Sequence, residues 1–227
     1  MGLSTTDLGG SGSSLPKTIT PGNHYLKING VYLEEFSFIK DAYHLMLNVE
    51  TQPIDDFEGF LIDKDDESKG RYAGQIGRIK ASQYAYADGV TKSGIKIQRD
   101  RSILIFLQNL SKSLGINDWF IQQDGQHDTI EDFIKAFNNS APYKDKYIGY
   151  CVAGKEYVGK SGYTNYDLYL PKAEKGKYAF SDEGMEKVVV YDENTHLKKA
   201  APTAEVKSFG DEDFSSPNKS SSDFNLD

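Results

Sequence analysis

Cysteine is almost absent from this chain of 227 residues, where Cys151 stands alone. One thiol excludes an internal disulfide, so packing must hold the core, and the composition fits a reducing compartment. Cys151 sits in the apolar run YIGYCVAG and reads as a small core residue. Histidine is scarce too. His24, His44, His127 and His196 show neither HExxH spacing nor pairing with cysteine, so no metal is expected. The acidic run DKDDE at 63–67 has the carboxylates of a calcium loop, but Ser68 stands where the loop needs glycine and Gly74 where it needs its closing glutamate. No run of about eighteen apolar residues is present, and MGLSTTDLGG lacks the basic flank and apolar stretch of a secretory signal. Gly2 and Thr6 match an N-myristoylation pattern, which a Gly/Ser-rich arm produces by chance, and no polybasic second anchor follows. A cytoplasmic protein, neither secreted nor membrane-bound, is expected. No Ser/His/Asp order, nucleophile elbow or carboxylate pair stands out, so neither catalysis nor a cofactor is expected.

Arginine is the third scarcity, and its placement is informative. Arg71, Arg78, Arg99 and Arg101 are all the arginines there are. From Lys69 to Arg101 there are eight bases and two acids, a local charge of +6 in a chain whose net charge is −8. The guanidinium suits forked phosphate contacts and stacking on flat rings, so this confinement points to anion recognition. Negative charge collects elsewhere. Residues 209–227 carry five acids against one base.

Residues 1–20 are rich in Gly, Ser and Thr and read as a flexible arm, with order beginning at Pro21-Gly22. In YHLMLNVET, Tyr43, Leu45, Leu47 and Val49 alternate with polar or smaller partners at the period of a half-buried strand. HYLKINGVYL before it and FEGFLID after it read as strands interrupted by glycine, and 74–86 reads the same way. The period then changes. Ile103, Phe106, Leu107, Leu110 and Leu114 recur at helical spacing, with Asp100 as expected N-cap and Gly115 as stop. A second helix is expected over 129–138, capped by Asp128 with Glu131 closing a capping box, and with Ile130, Phe133, Ile134 and Phe137 facing inward. Strands resume at 146–153, 166–170 and 186–192. Three strands, helix, then two or three strands is the plan of a mainly β protein: a Greek-key barrel of the oligonucleotide-binding type, with a helix between its third and fourth strands. The barrel is expected over 21–195, followed by a disordered acidic tail over 196–227.

Gly154 to Ser161, GKEYVGKS, fits the phosphate-loop pattern letter for letter. That chemistry needs a helix next, whose N-terminal amides face the phosphates. The chain continues instead as GYTNYDLYLP, a turn and a strand, so a glycine-rich hairpin is the better reading. Residues 143–178 carry eight tyrosines and seven lysines against four acids. Tyrosine faces stack bases and lysines attract phosphates, the footprint of a single-strand binder, although about half of these rings are expected in the core. If 76–86 is a strand, Arg78, Lys80, Tyr84 and Tyr86 share one face while Ile79, Ala81 and Ala85 share the other.

The segments PGNHYLKINGV, YHLMLNVET, FEGFLID and GRYAGQIGRIK, with the helix ILIFLQNLSKSLG and the late AGKEYVGKSGYTNYDLYLP, resemble single-stranded DNA-binding proteins of tailed bacteriophages, in particular the crAss-like group. The resemblance spans residues 21–190. It implies a barrel that coats exposed strands during phage DNA replication and recombination in the bacterial host's cytoplasm. It also implies an acidic tail that recruits partner proteins and competes with DNA for the basic groove. Here Asp211, Glu212, Asp213, Phe214, Asp223, Phe224, Leu226 and Asp227 would form that tail, which unlike its counterparts does not end on an aromatic residue. The expected DNA contacts are Arg71, Tyr72, Arg78, Lys80, Tyr84, Tyr86, Arg99, Arg101, Tyr157, Lys160, Tyr163 and Tyr166. A phage virion or head-cargo protein and a phosphate-loop nucleotide binder are the alternatives.

Overall fold

The computed structural model describes residues 18–51, 59–62, 70–73, 75–159, 162–174 and 176–200, with backbone alone for 59–62 and 70–73. In chain order come β1 (Gly22–Glu35), β2 (Tyr43–Thr51), β3 (Gly59–Ile62), β4 (Gly70–Ala73), β5 (Ile76–Lys80), β6 (Gly89–Val90) and β7 (Lys96–Ile97). Helices α1 (Arg99–Ser113), α2 (Asn117–Gln122) and α3 (Ile130–Ser140) follow. The chain then returns to β8 (Ile148–Val158), β9 (Thr164–Tyr169), β10 (Phe180–Ser181), α4 (Glu193–His196) and β11 (Leu197–Lys198).

Five strands close a barrel in the order β1-β2-β5-β9-β8, with β8 returning to β1. Every neighbouring pair is antiparallel except β5 and β9. The three larger helices lie between β5 and β8, which are the third and fourth barrel strands in sequence. The expected mainly β barrel with inserted helices is thus present. FEGFLID does not supply its third strand: β3 pairs only with β4 in a separate hairpin, and β5 takes that place.

Alternation builds the barrel interior, and one bulge corrects its phase. On β1 the inward residues are Leu26 and Ile28, then Val31, because the register against β2 shifts between Ile28 and Gly30. An extra residue at a bulge flips the face of everything after it. Without it Val31 would point to solvent. Asn138 of α3 locks this place: its Nδ2 donates to the Val31 carbonyl at 2.6 Å, and its Oδ1 accepts from the Val31 N–H at 3.0 Å. The Tyr143 hydroxyl donates to the same Oδ1 at 2.9 Å. Leu45, Leu47, Val49, Ile79, Val152 and Leu168 complete the inner layer, and Ile103, Leu107, Leu110 and Phe137 of the helices close one end of it.

Both expected caps move. Helix α1 begins one residue before Asp100, and Gln98 precedes it with no side-chain cap. Asp88 caps it from a distance instead, accepting from the Arg99 N–H at 2.7 Å. Asp100 remains in the first turn, where its charge suits the helix dipole. For α3 the cap is Thr129, whose hydroxyl oxygen accepts from the Asp132 N–H, so Asp132 rather than Glu131 completes the turn. Residues 186–192 are not a strand. A 3₁₀ turn covers Met185–Lys187, and a single bridge joins Val188 to Tyr178. The segment is held instead by Asn23, which donates to the Val189 carbonyl at 2.8 Å and accepts from the Tyr191 N–H at 2.7 Å. The ordered body also passes both expected limits. Ile19, assigned to the arm, is 2% exposed, and Leu197–Lys198 pairs with β8 inside the expected tail.

Candidate nucleic-acid interface

The parallel β5 and β9 touch at one pair only, Lys80 with Tyr169, and then diverge. Into that opening runs the segment Thr18–Thr20, with the Ile19 N–H donating to the Ile76 carbonyl at 3.0 Å. Gly77 permits the approach, since a Cβ there would lie 3.1 Å from two Ile19 carbons. What remains open is a cleft of about 1100 Å³ with Ile19, Val49 and Leu168 on its floor. Arg78 and Lys80 form one wall, while Lys155, Tyr157, Tyr166 and Asp167 form the other.

Two of the three cations of the cleft, Arg78 and Lys80, are already engaged. Lys80 Nζ lies 2.8 Å from Asp167 Oδ2. Arg78 pairs with Glu34 and sits 5.3 Å over the Tyr32 ring. Lys155 has no ion pair among the described residues and is exposed. The two pairs are partly solvated, so each is weak and exchangeable, worth at most about 1 kcal/mol. Carboxylates stand where phosphate oxygens of a ligand could stand, on the same cations.

Alternation on β5 is as expected up to Ala81: Ile79 and Ala81 are buried, while Arg78 and Lys80 point outward. Strand structure ends at Lys80, so Tyr84 and Tyr86 lie in the following bend rather than on that face. Tyr84 is exposed. Tyr86 is no stacking platform: it pairs backbone to backbone with Tyr43, packs on the core, and burial pushes its hydroxyl up to about 12. Arg99 is withdrawn as well. Its guanidinium lies 4.9 Å over the Tyr43 ring, 2.6 Å from Asp100 and 3.2 Å from the Asp41 carbonyl. Arg101 lines a different cavity, between the helices. Tyr163 is exposed in the β8–β9 loop. Arg71 and Tyr72 fall on β4, where only the backbone is described. Lys160, DKDDE and the tail residues Asp211, Glu212, Asp213, Phe214, Asp223, Phe224, Leu226 and Asp227 lie outside the described residues. Arg78, Lys80, Tyr157 and Tyr166 are therefore the expected contacts that line the one cleft.

Of the eight tyrosines between 143 and 178, Tyr143, Tyr150 and Tyr169 are buried and Tyr147 and Tyr166 are half-buried. Tyr157, Tyr163 and Tyr178 are exposed, a division close to the expected half. Two contributors were missed: Tyr32, under Arg78, and Lys155. Lys155 and Tyr157 alternate outward on β8, a signal present in the sequence.

The phosphate-loop pattern has another explanation. Gly154 to Val158 belongs to β8 and residues 164–169 form β9, as the hairpin reading requires. Gly154 is needed because a Cβ there would lie 2.6 Å from Pro21 Cγ. Cys151 is fully buried, and desolvation pushes its thiol up to about 12, which leaves it unreactive. Comparisons with protein-family models, curated proteins and solved structures find no match for this chain.

Proposed function

We propose that this chain is a non-enzymatic protein that binds single-stranded DNA in the β5–β9 cleft. In this reading it coats strands exposed during phage replication and recombination. The observation that carries the reading is a cleft holding Arg78, Lys80 and Lys155 beside Tyr157 and Tyr166, on the outer surface of a closed five-stranded barrel. The strand order and the helices between the third and fourth strands support the Greek-key oligonucleotide-binding barrel, whose ligands cross that same region. Three cations spaced along the cleft match a phosphate backbone, and the tyrosines supply sequence-tolerant stacking.

Glu34 and Asp167 hold the cations until a strand displaces them. The tail from Asp211 to Asp227 would compete for the same groups when no strand is bound, and would reach partner proteins through Phe214, Phe224 and Leu226 once released.

Titration of tyrosine fluorescence with oligo-dT and with duplex of equal length, at two salt concentrations, tests this. Single strands should bind more tightly, with a log–log salt slope of about −0.7 per phosphate neutralised, hence about −2 for three cations. A chain ending at Phe209 should bind more tightly at low salt. Equal affinity for duplex, or a slope near zero, excludes the mechanism.

A further inference from the structure

The second cavity of the molecule, about 530 Å³, opens between the helices and shares no residue with the cleft. Its apolar lining comes from Leu104, Ile105, Phe120, Ile121, Ile130 and Phe133. Ile105 and Ile121 are 51% and 58% exposed, so the lining is open to a partner. At its rim stand Asp124 and Asp128, which have no ion pair among the described residues, and Arg101. Asp100 also lines it but is offset by Arg99 at 2.6 Å. The rim is thus weakly acidic around an apolar centre.

The hairpin β6–β7 is the complement of that socket. An isolated two-stranded hairpin is marginal in water, and this one buries none of its large aliphatic side chains. Val90, Ile95 and Ile97 are 65%, 64% and 42% exposed. Its shape is nevertheless set: the Thr91 N–H donates to the Ile95 carbonyl at 2.9 Å, Gly94 turns at φ +81°, and Asp88 binds the Arg99 N–H at its base. From Gly89 to Gln98 it carries Lys92 and Lys96 and no acid. A basic apolar knob and an acidic apolar socket on one molecule, with neither filled by any of the described residues, describe a contact between copies.

We propose that the β6–β7 hairpin of one copy seats Val90, Ile95 and Ile97 in the α1–α3 socket of a second copy, with Lys92 and Lys96 against Asp124 and Asp128. None of these contact residues lines the cleft. It is independent of the nucleic-acid reading, because the hairpin and the socket are complementary without any ligand.

Sedimentation velocity of the full chain in the absence of nucleic acid tests it. The expected result is a mass above the 25.4 kDa monomer that rises with protein concentration and falls with added salt. Ile95→Asp should give a monomer with an unchanged thermal melt. Lys92→Glu/Lys96→Glu should also be monomeric, yet associate when mixed with Asp124→Lys/Asp128→Lys. A wild-type chain that stays monomeric at every concentration, association that survives Ile95→Asp, or failure of the charge-swapped pair to associate overturns the proposal. Loss of oligo-dT binding alone would bear on the cleft and leave this contact standing.

Discussion

Arg99 at the start of α1 and Arg78 on β5 meet the same chemistry in different surroundings. Each guanidinium lies over a tyrosine ring, at 4.9 Å for Arg99 and 5.3 Å for Arg78, and each pairs with a carboxylate. The Arg99 side chain is 19% exposed and adds Glu131 and the Asp41 carbonyl to its partners. That of Arg78 is 59% exposed and has one ion-pair partner among the described residues, Glu34. Arg99 joins a helix start to the β1–β2 loop, so releasing it would undo the fold locally. Arg78 can exchange a carboxylate for a phosphate at little cost. Local charge density ranks the two alike, whereas burial and number of partners separate them.

The largest effect should come from removing the exchangeable pair of cations. Arg78→Ala with Lys80→Ala should weaken oligo-dT binding by about tenfold or more per residue, taking a charged hydrogen bond as about 1.5–3 kcal/mol. The fold should barely notice. Arg99→Ala should do the reverse, lowering stability by about 1–2 kcal/mol through the lost ring contact and ion pairs. Its binding should stay near wild type. Urea melts and oligo-dT titrations on the two variants decide the matter, and a binding loss in Arg99→Ala equal to that of the double variant would erase the distinction.

How legible the site was depends on sequence distance. The strand over Tyr43–Val49, the outward Arg78 and Lys80, the helical spacing from Ile103 to Leu114 and the strand after GKEYVGKS are local signals, and all are realised, although His44 and Met46 are buried too, so the first strand is covered on both faces rather than half-buried. The α3 cap, Thr129 in place of Asp128, is a local miss by one residue, and the failures that follow come where a distant group intervenes. Asp88 caps α1 from eleven residues away, so Asp100 looked like the only cap on offer. The run VVVY reads as a strand by composition, yet its Val188 and Val189 pack beside Cys151, and the side chain of Asn23 supplies the bonds a neighbouring strand would have made. The cleft's ion pairs join Glu34 to Arg78 and Asp167 to Lys80, across 44 and 87 residues. No local pattern announces that these acids sit among the bases. A basic segment in the sequence became a nearly balanced surface in the fold.

That balance offers a smaller, sharper test. Glu34→Gln removes the carboxylate from Arg78, and Asp167→Asn removes it from Lys80. If the acids only occupy the cations until a strand arrives, each change should tighten oligo-dT binding by up to about fivefold, the equivalent of an exposed ion pair. Glu131→Gln, beside Arg99, should leave binding unchanged. Weaker binding in either cleft variant would mean that the carboxylate orients its cation for the strand instead of competing with it, which is a different mechanism on the same residues.

The smallest expected effect concerns pH and again sets β5 apart from the start of α1. His44 is 8% exposed, its Nδ1 has no hydrogen-bond partner among the described residues, and it faces Lys80, Asp167 and Glu34. Burial first, and Lys80 second, hold its pKa below the usual 6.5, against the pull of the two acids. His24 is lowered by burial as well, with the Thr20 carbonyl opposing. The unfolded chain therefore binds more protons than the folded one as pH drops through about 6.5, so stability falls with acidity in that range and is level above it. Thermal melts between about pH 7.5 and about pH 5 should show this decline, and His44→Leu should make it shallower without changing the melt at neutral pH by much. Arg99→Ala leaves His24 and His44 in place, so it should shift the whole curve and keep its slope. A slope unaltered by His44→Leu would place the proton uptake elsewhere.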